Sequence, residues 1–202
     1  MQEKAPKKNR KPANFRRFFG ESRKRGAILK RISLPADPAE LKKLKAGEHV
    51  LLCGPVYTAR DAAHKRLVAC LEQGQPLPFE LAGSAIYYVG PCPAKPGDPV
   101  GSCGPTTSGR VDPLTPPLLE AGLKLMIGKG NRSLAVRQAM QRCGAVYLAA
   151  IGGAAAVYAA HVSSCEVVAY GDLGTEAVHR MELRDFPAIV AIDAEGGTIY
   201  RD

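Results

Sequence analysis

An α/β fold with a central mixed sheet is what the sequence predicts, on three observations. Short apolar runs, such as His49-Val-Leu-Leu-Cys53 and those at residues 84–89, 123–127 and 145–150, recur along the chain. Segments of helical spacing separate them, with Ala63, Leu67 and Leu71 on one stripe of residues 60–71. Gly and Pro punctuate the junctions, as at Gly54-Pro55, Gly74 and Gly90-Pro91. Strands alternating with helices build a sheet flanked by helices around one core, and 202 residues suffice for one such domain.

The elements follow in order. Ile32-Ser-Leu34 reads as a short strand, and Asp37-Pro38 then supplies an N-cap and a first-turn proline for a small helix through Lys45. Residues 49–53 form a strand that ends at Gly54-Pro55. Residues 57–60 are a strand-to-helix loop with Arg60 at the helix start, and Gly74 stops that helix. After the strand at 84–89 comes a Pro- and Gly-rich loop at 91–109. A loop of this length within a compact domain is a binding loop or unordered, and its Thr-Thr-Ser with closing Arg110 favours binding. Asp112-Pro113 caps a helix to about Gly122. A strand at 123–127, a turn at 128–131 and a helix at 132–143 follow. Next come a strand at 145–150, a small-residue helix at 152–160 and a strand at 166–170. Residues 187–193 and 198–200 flank Ala194-Glu-Gly-Gly197 and read as a terminal hairpin.

The formal net charge of +9 is unevenly placed. Residues 1–31 hold twelve Lys/Arg and two Glu, a charge of +10, whereas the remainder holds sixteen Lys/Arg and seventeen Asp/Glu, a charge of −1. The chain therefore divides into a basic, unstructured extension at 1–31 and a folded domain at 32–202. Like charges with few apolar residues repel and stay extended. The functional alternative for this tail is nucleic acid or an acidic partner, since Lys and Arg displace condensed counterions; Phe15, Phe18 and Phe19 among the arginines keep it open. No apolar run approaches the ~20 residues that span a bilayer, so no membrane association is expected and the expected location is cytoplasmic. An organelle transit role for the tail also stays open, because such segments are Arg-rich and poor in acids.

Six cysteines stand at 53, 70, 92, 103, 143 and 165, none spaced as Cys-x-x-Cys. That argues against a disulfide framework and for small buried apolar residues. Cys103 is the exception to follow, because it immediately precedes the most informative block.

That block is Gly104-Pro-Thr-Thr-Ser-Gly-Arg110, taken with Ile127-Gly-Lys-Gly-Asn-Arg132. It supplies hydroxyls, fixed cations and glycine-freed backbone, which suits a small dianion. Arg110 follows a Gly-rich turn; its guanidinium is always charged and grips a carboxylate with two parallel hydrogen bonds. Lys129, between two glycines, is a point charge suited to a second carboxylate or a developing oxyanion. Arg60, with Asp61 and His64 beside it at a helix start, is a second fixed cation. Thr106 and Thr107 each offer a hydroxyl. Ser108, Asn131 and Arg132 read as supporting residues, Ser133 as a ligand or cap, and Asp112 as a helix N-cap. Glu176 and Asp185 read as residues that anchor turns.

These two loops, with Tyr57-Thr-Ala-Arg60-Asp61-Ala-Ala-His64, Ile86-Tyr-Tyr-Val-Gly-Pro91, Leu173-Gly-Thr-Glu176-Ala and Asp185-Phe-Pro187-Ala, resemble the beta component of the iron–sulfur hydro-lyases. That family includes the class I fumarases and the L(+)-tartrate dehydratases. The blocks fall in the family's order, and the resemblance runs from Ile32 to the C-terminus. It implies a swivelling β/β/α fold and reversible addition or removal of water on a small dicarboxylate, fumarate/malate first, tartrate or oxaloacetate next. It assigns Arg60, Arg110 and Lys129 to the substrate, with Thr107 beside them, and Thr106 to the neighbourhood of the transferred proton. It also implies a partner, because the 4Fe-4S cluster and the aspartate that would activate Thr106 belong to the alpha component. No metal or cofactor is then expected on this chain alone. Val111 and Leu114, where the family commonly has Met and an aromatic, and Cys103, where a small residue is expected, bear on substrate choice. The alternative is a non-catalytic anion- or nucleic-acid-binding module that uses the basic tail.

Overall fold

The computed structural model describes residues 29–151 and 153–201. Residues 1–28, which hold most of the basic extension, and Gly152, at the start of the expected small-residue helix, lie outside the described residues. Seven strands form one sheet: β1 (Lys30–Ser33), β2 (His49–Thr58), β3 (Ala85–Tyr87), β4 (Leu125–Gly128), β5 (Val146–Ala149), β6 (Val162–Ala169) and β7 (Val178–Ile192). The domain boundary read at Ile32 thus falls inside β1. The helices are α1 (Pro38–Leu41), α2 (Asp61–Glu72), α3 (Thr115–Glu120), α4 (Leu134–Cys143) and α5 (Ala155–Ala159), with 3-10 turns at Ser108–Leu114 and Gly171–Glu176.

Strands β1 to β5 pair in parallel in chain order, and the sheet then closes on itself through β7. At fifteen residues β7 is long enough to pair antiparallel with β5 through residues 189–192 and with β2 through residues 180–189. Strand β6 pairs antiparallel with the first half of β7, on the edge opposite β2 that β5 takes further along. The result is the mixed α/β domain that the sequence predicts.

Alternation along the strands decides which face each residue buries. Ala85, Tyr87, Leu125, Ile127, Val146 and Leu148 join Val50, Leu52, Leu183 and Phe186 in one core cluster shared by every strand of the closed ring. Leu41, Leu44 and Tyr158 belong to the same cluster, so α1, the turn after it and α5 cover the ring. The intervening residues Ile86, Met126 and Tyr147 belong to a second cluster with Leu67 of α2, Leu118 and Leu119 of α3, and Val136 and Met140 of α4. These three helices therefore lie against the opposite face of the same strands.

Two expectations are corrected. Strand β2 does not stop at Gly54-Pro55 but continues to Thr58, through a register shift between Leu52 and Gly54 in its pairing with β7. The C-terminal hairpin shrinks to a single antiparallel bridge, Ile192 to Thr198, while β7 begins well upstream at Val178. The reason is a bulge. Inward-facing residues run 181 and 183, then 186, 188 and 190, so the two-residue period slips at Arg184-Asp185. There Asp185 takes φ +48 and its carboxylate accepts from Arg31 at 2.8 Å.

Candidate functional site

Parallel strands β2, β3 and β4 end at one edge of the sheet, and the loops leaving that edge carry Arg60, Gly90 and Lys129. In α/β folds, open or closed, the carboxyl ends of parallel strands are where ligands bind. The 104–108 segment returns to this edge and is stitched into it. Thr106 donates to the Tyr88 carbonyl from its N–H at 2.8 Å and from its hydroxyl at 3.1 Å. Thr107 forms a parallel bridge with Lys129. Ser108 N–H donates to the Lys129 carbonyl at 2.9 Å, and Lys129 N–H donates to the Thr106 carbonyl at 3.3 Å. Thr106, Thr107, Ser108 and Lys129 are thereby brought together.

Two glycines make the approach possible. A Cβ on Gly128 would overlap the Ser108 hydroxyl and lie 2.8 Å from the Tyr88 ring. A Cβ on Gly90 would meet the Thr175 carbonyl at 2.8 Å and the Arg60 side chain at 3.0 Å. Arg60 therefore lies across the backbone just beyond Tyr88, on the same edge as Thr106.

Arg60 is the N-cap residue of α2 but makes no side-chain cap. Glu176 supplies that function from the second 3-10 turn. One of its carboxylate oxygens accepts from Ala62 N–H at 3.0 Å, and the other stands 3.4 Å from the Arg60 guanidinium. Glu176 is thus a positioning residue for Arg60 that sequence reasoning left as a turn anchor. Asp61 opens the first turn of α2, where the helix dipole favours a carboxylate. His64 is wholly buried; its Nδ1 lies 2.9 Å from the Arg60 carbonyl, and its ring meets Tyr88 edge-on at 5.2 Å. Burial pushes its pKa down to about 4 and the nearby Arg132 charge adds to this, while the bond to the Arg60 carbonyl opposes it. His64 is a neutral support beneath the site.

Arg110 is exposed on the 3-10 turn 108–114, and Lys129 is partly exposed. Among the described residues neither side chain has a hydrogen bond or ion pair. Thr107 is exposed too. Asn131 is exposed; its side chain accepts from Arg132 N–H at 2.8 Å and does not brace Lys129.

Arg132 and Asp112 differ from their sequence reading. Arg132 is 3% exposed and precedes α4, whose cap is Ser133, accepting from Val136 N–H at 3.4 Å. Asp112 caps nothing. It sits inside the 3-10 turn, and its carboxylate accepts from Arg132 Nε at 2.6 Å and from Ser133 N–H at 2.5 Å. The N-cap position of α3 falls to Leu114, with no side-chain cap. The guanidinium also donates to Thr115 Oγ1 at 2.9 Å and lies over the rings of Tyr88 and Tyr147 at 5.2 and 5.1 Å. In the sequence Tyr88 and Tyr147 fall within expected strands and Thr115 within an expected helix, and none of the three is a candidate site residue. The signal that could have marked them is a polar atom recurring on an otherwise apolar face, as a buried Tyr hydroxyl needs a partner.

Cys103 is buried and its thiol pKa is pushed up to about 12, by burial first and by Cys165 and Cys92 next. It is a packing residue. Among the described residues no group of three or more His, Cys, Asp or Glu could hold a metal ion. The thiol of Cys165 is likewise raised to about 11 by burial. These cysteines do not fit an iron–sulfur cluster, whose ligands are thiolates gathered at one point. A cavity of about 350 Å³ adjoins the Arg60 side, lined by Pro91, Pro93, Val100, Val167, Thr175 and His179 among others. No described helix is long and apolar enough to cross a membrane.

Fold and site together define an α/β domain that gathers Arg, Lys and Thr side chains at the carboxyl edge of its parallel strands. The chain belongs to the fumarase C-terminal family: the family model described as Fumarase C-terminus matches residues 4–202. The match begins before Ile32, where the motif resemblance starts. Among its relatives, fumarate hydratase 1, mitochondrial, of Leishmania major is 40% identical over 170 residues, covering 83% of this chain and 31% of the relative. The anaerobic class I fumarate hydratase of Escherichia coli is 39% identical over 166 residues, covering 81% and 30%. The putative L(+)-tartrate dehydratase subunit beta of Methanocaldococcus jannaschii is 39% identical over 169 residues, covering 81% of this chain and 87% of the relative. The chain thus spans about a third of the fumarate hydratases that it matches.

Proposed function

We propose that this chain is the beta component of an iron–sulfur hydro-lyase that adds water to, or removes it from, a small dicarboxylate. Fumarate/malate is the first substrate pair, tartrate or oxaloacetate the next. The observation that carries the reading is that two cations free of protein partners among the described residues, Arg110 and Lys129, stand on segments hydrogen-bonded to each other through Thr106, Ser108 and Lys129. A carboxylate substrate would supply the missing partners. The names of the relatives, fumarate hydratases and a tartrate dehydratase beta subunit, support the reaction class.

In this reading Arg110 grips one carboxylate through its planar fork and Lys129 places a point charge at the other. Arg60, steadied by Glu176, completes the clamp. The Thr106 hydroxyl, whose proton is engaged by the Tyr88 carbonyl, presents lone pairs near the carbon that loses or gains a proton. A threonine hydroxyl is a weak base without an activating neighbour, so this chain lacks a complete acid–base pair. The clamp accelerates the reaction to the extent that it binds the charge growing on the substrate better than the substrate itself. The cluster belongs, in this reading, to an alpha component that this chain's cysteines do not replace; it supplies the Lewis acid of the reaction.

The double substitution Arg110→Ala, Lys129→Ala should lower turnover of the reconstituted enzyme by roughly 10³-fold or more, since one well-aimed donor alone is worth about 10²–10³. The circular dichroism of the chain should be unchanged. Turnover retained in the double variant overturns the assignment. The expected location is cytoplasmic; an organelle address through residues 1–31 is the alternative that a mitochondrial relative supports. The relatives' names lend no support to a nucleic-acid partner for that segment.

A further inference from the structure

We propose that the buried Arg132–Asp112 pair is a positioning device that sets the separation of the Arg110 and Lys129 charges, and with it the length of diacid that the clamp accepts. The inference rests on reading Arg110 and Lys129 as the carboxylate contacts. Asp112 stands two residues after Arg110 on the same 3-10 turn, and Arg132 three residues after Lys129 at the end of the same loop. Beyond the backbone bonds that tie Thr106 and Ser108 to Lys129, three further links join the two segments. Arg132 Nε donates to one Asp112 oxygen and Ser133 N–H to the other. Tyr147 makes the third link, its hydroxyl lying 2.9 Å from Ser108 Oγ and 2.9 Å from the Gly130 carbonyl. The guanidinium also donates to Thr115 Oγ1, to the Tyr88 hydroxyl at 3.4 Å and to Met126 Sδ at 3.5 Å.

This arrangement is expensive as a source of stability. A desolvated ion pair contributes little more than well-packed apolar residues of the same volume, and often less, and its best-attested use is to fix one arrangement among several. Here the arrangement fixed is the one that places Arg110 relative to Lys129. Neither Arg132 nor Asp112 needs to touch substrate, and their near-complete burial keeps them from doing so.

The test replaces the pair by apolar residues, Arg132→Met with Asp112→Leu, in the full chain. Dissociation constants for malonate, succinate and glutarate are then measured by NMR titration. Wild type should prefer one length by about tenfold or more, which corresponds to about 1.4 kcal/mol. In the double variant, the ratio between the best and next-best length should fall to within about threefold. Should that variant fail to fold, Tyr147→Phe removes a single oxygen and should narrow the same ratio. Affinities that fall together at every length, with the ratio kept, would show a purely structural pair and overturn the inference while leaving the clamp intact. A wild-type chain that binds none of the three diacids would remove the clamp reading, and this inference with it.

Discussion

At His64 the fold keeps an imidazole out of water, and the consequence reaches the stability of the whole chain. Its pKa stands at about 4 in the fold against 6.5 for an ordinary histidine, chiefly because burial penalises the charged ring. Between pH 6.5 and 4 the unfolded chain therefore binds the proton that the folded chain refuses. Stability is undiminished above about pH 6.5 and falls as pH drops through this window. A difference of this size is worth about 3 kcal/mol. His64→Phe keeps a ring against Tyr88 and should remove most of that slope in urea midpoints measured from pH 7 to pH 4. A slope equal to that of wild type would mean that His64 is not the group responsible. Cys103 teaches the converse lesson at the same scale. Its place beside Gly104-Pro-Thr-Thr drew attention in the sequence, yet alternation along the chain turns it into the core. Adjacency to a motif carries no information about which way a side chain faces.

At the scale of elements, what was legible depended on whether a signal was local. Helix α2 was read nearly to its observed bounds because its apolar stripe and its stop at Gly74 lie within the segment itself. Helix α4 was legible for the same reason, with Gly144 as its left-handed C-cap. The 3-10 turn at 108–114 was not, because Asp112 before Pro113 carries the local signature of an N-cap while its carboxylate is taken by Arg132, twenty residues on. Likewise β7 was seen only in part, since a bulge breaks the two-residue period by which strands are recognised. The proposed site residues Arg60, Thr106, Arg110 and Lys129 stood out as polar groups within Gly-rich loops. Their supports, Glu176, Tyr147 and Thr115, did not, because a support is defined by the element it reaches. Glu176 shows how such a support is tested. Glu176→Ala removes the side-chain acceptor that Ala62 N–H has among the described residues and should lower stability by about 1 kcal/mol, the usual worth of a cap. Glu176→Gln keeps an oxygen for Ala62 N–H and should recover most of that loss in urea titrations. Equal losses in both variants would place the effect in the Arg60 ion pair instead.

Over the whole molecule, closure of the sheet through β7 places the carboxyl ends of β2, β3 and β4 side by side, and the three cations of the proposed clamp leave from that edge or from the segment stitched to it. In the proposed reading the domain grips a diacid but lacks a complete means of moving its proton. The chain covers about a third of the fumarate hydratases that it matches and most of a tartrate dehydratase beta subunit. The central claim is that this chain is half of an iron–sulfur hydro-lyase. Its most direct test is an anaerobic pull-down of the tagged full chain from its native extract, with the eluate assayed for iron and for hydration of fumarate and dehydration of tartrate. The account predicts a co-purifying iron-bearing subunit and activity toward at least one of these diacids. An iron-free chain that brings down nucleic acid alone, or nothing, would contradict it.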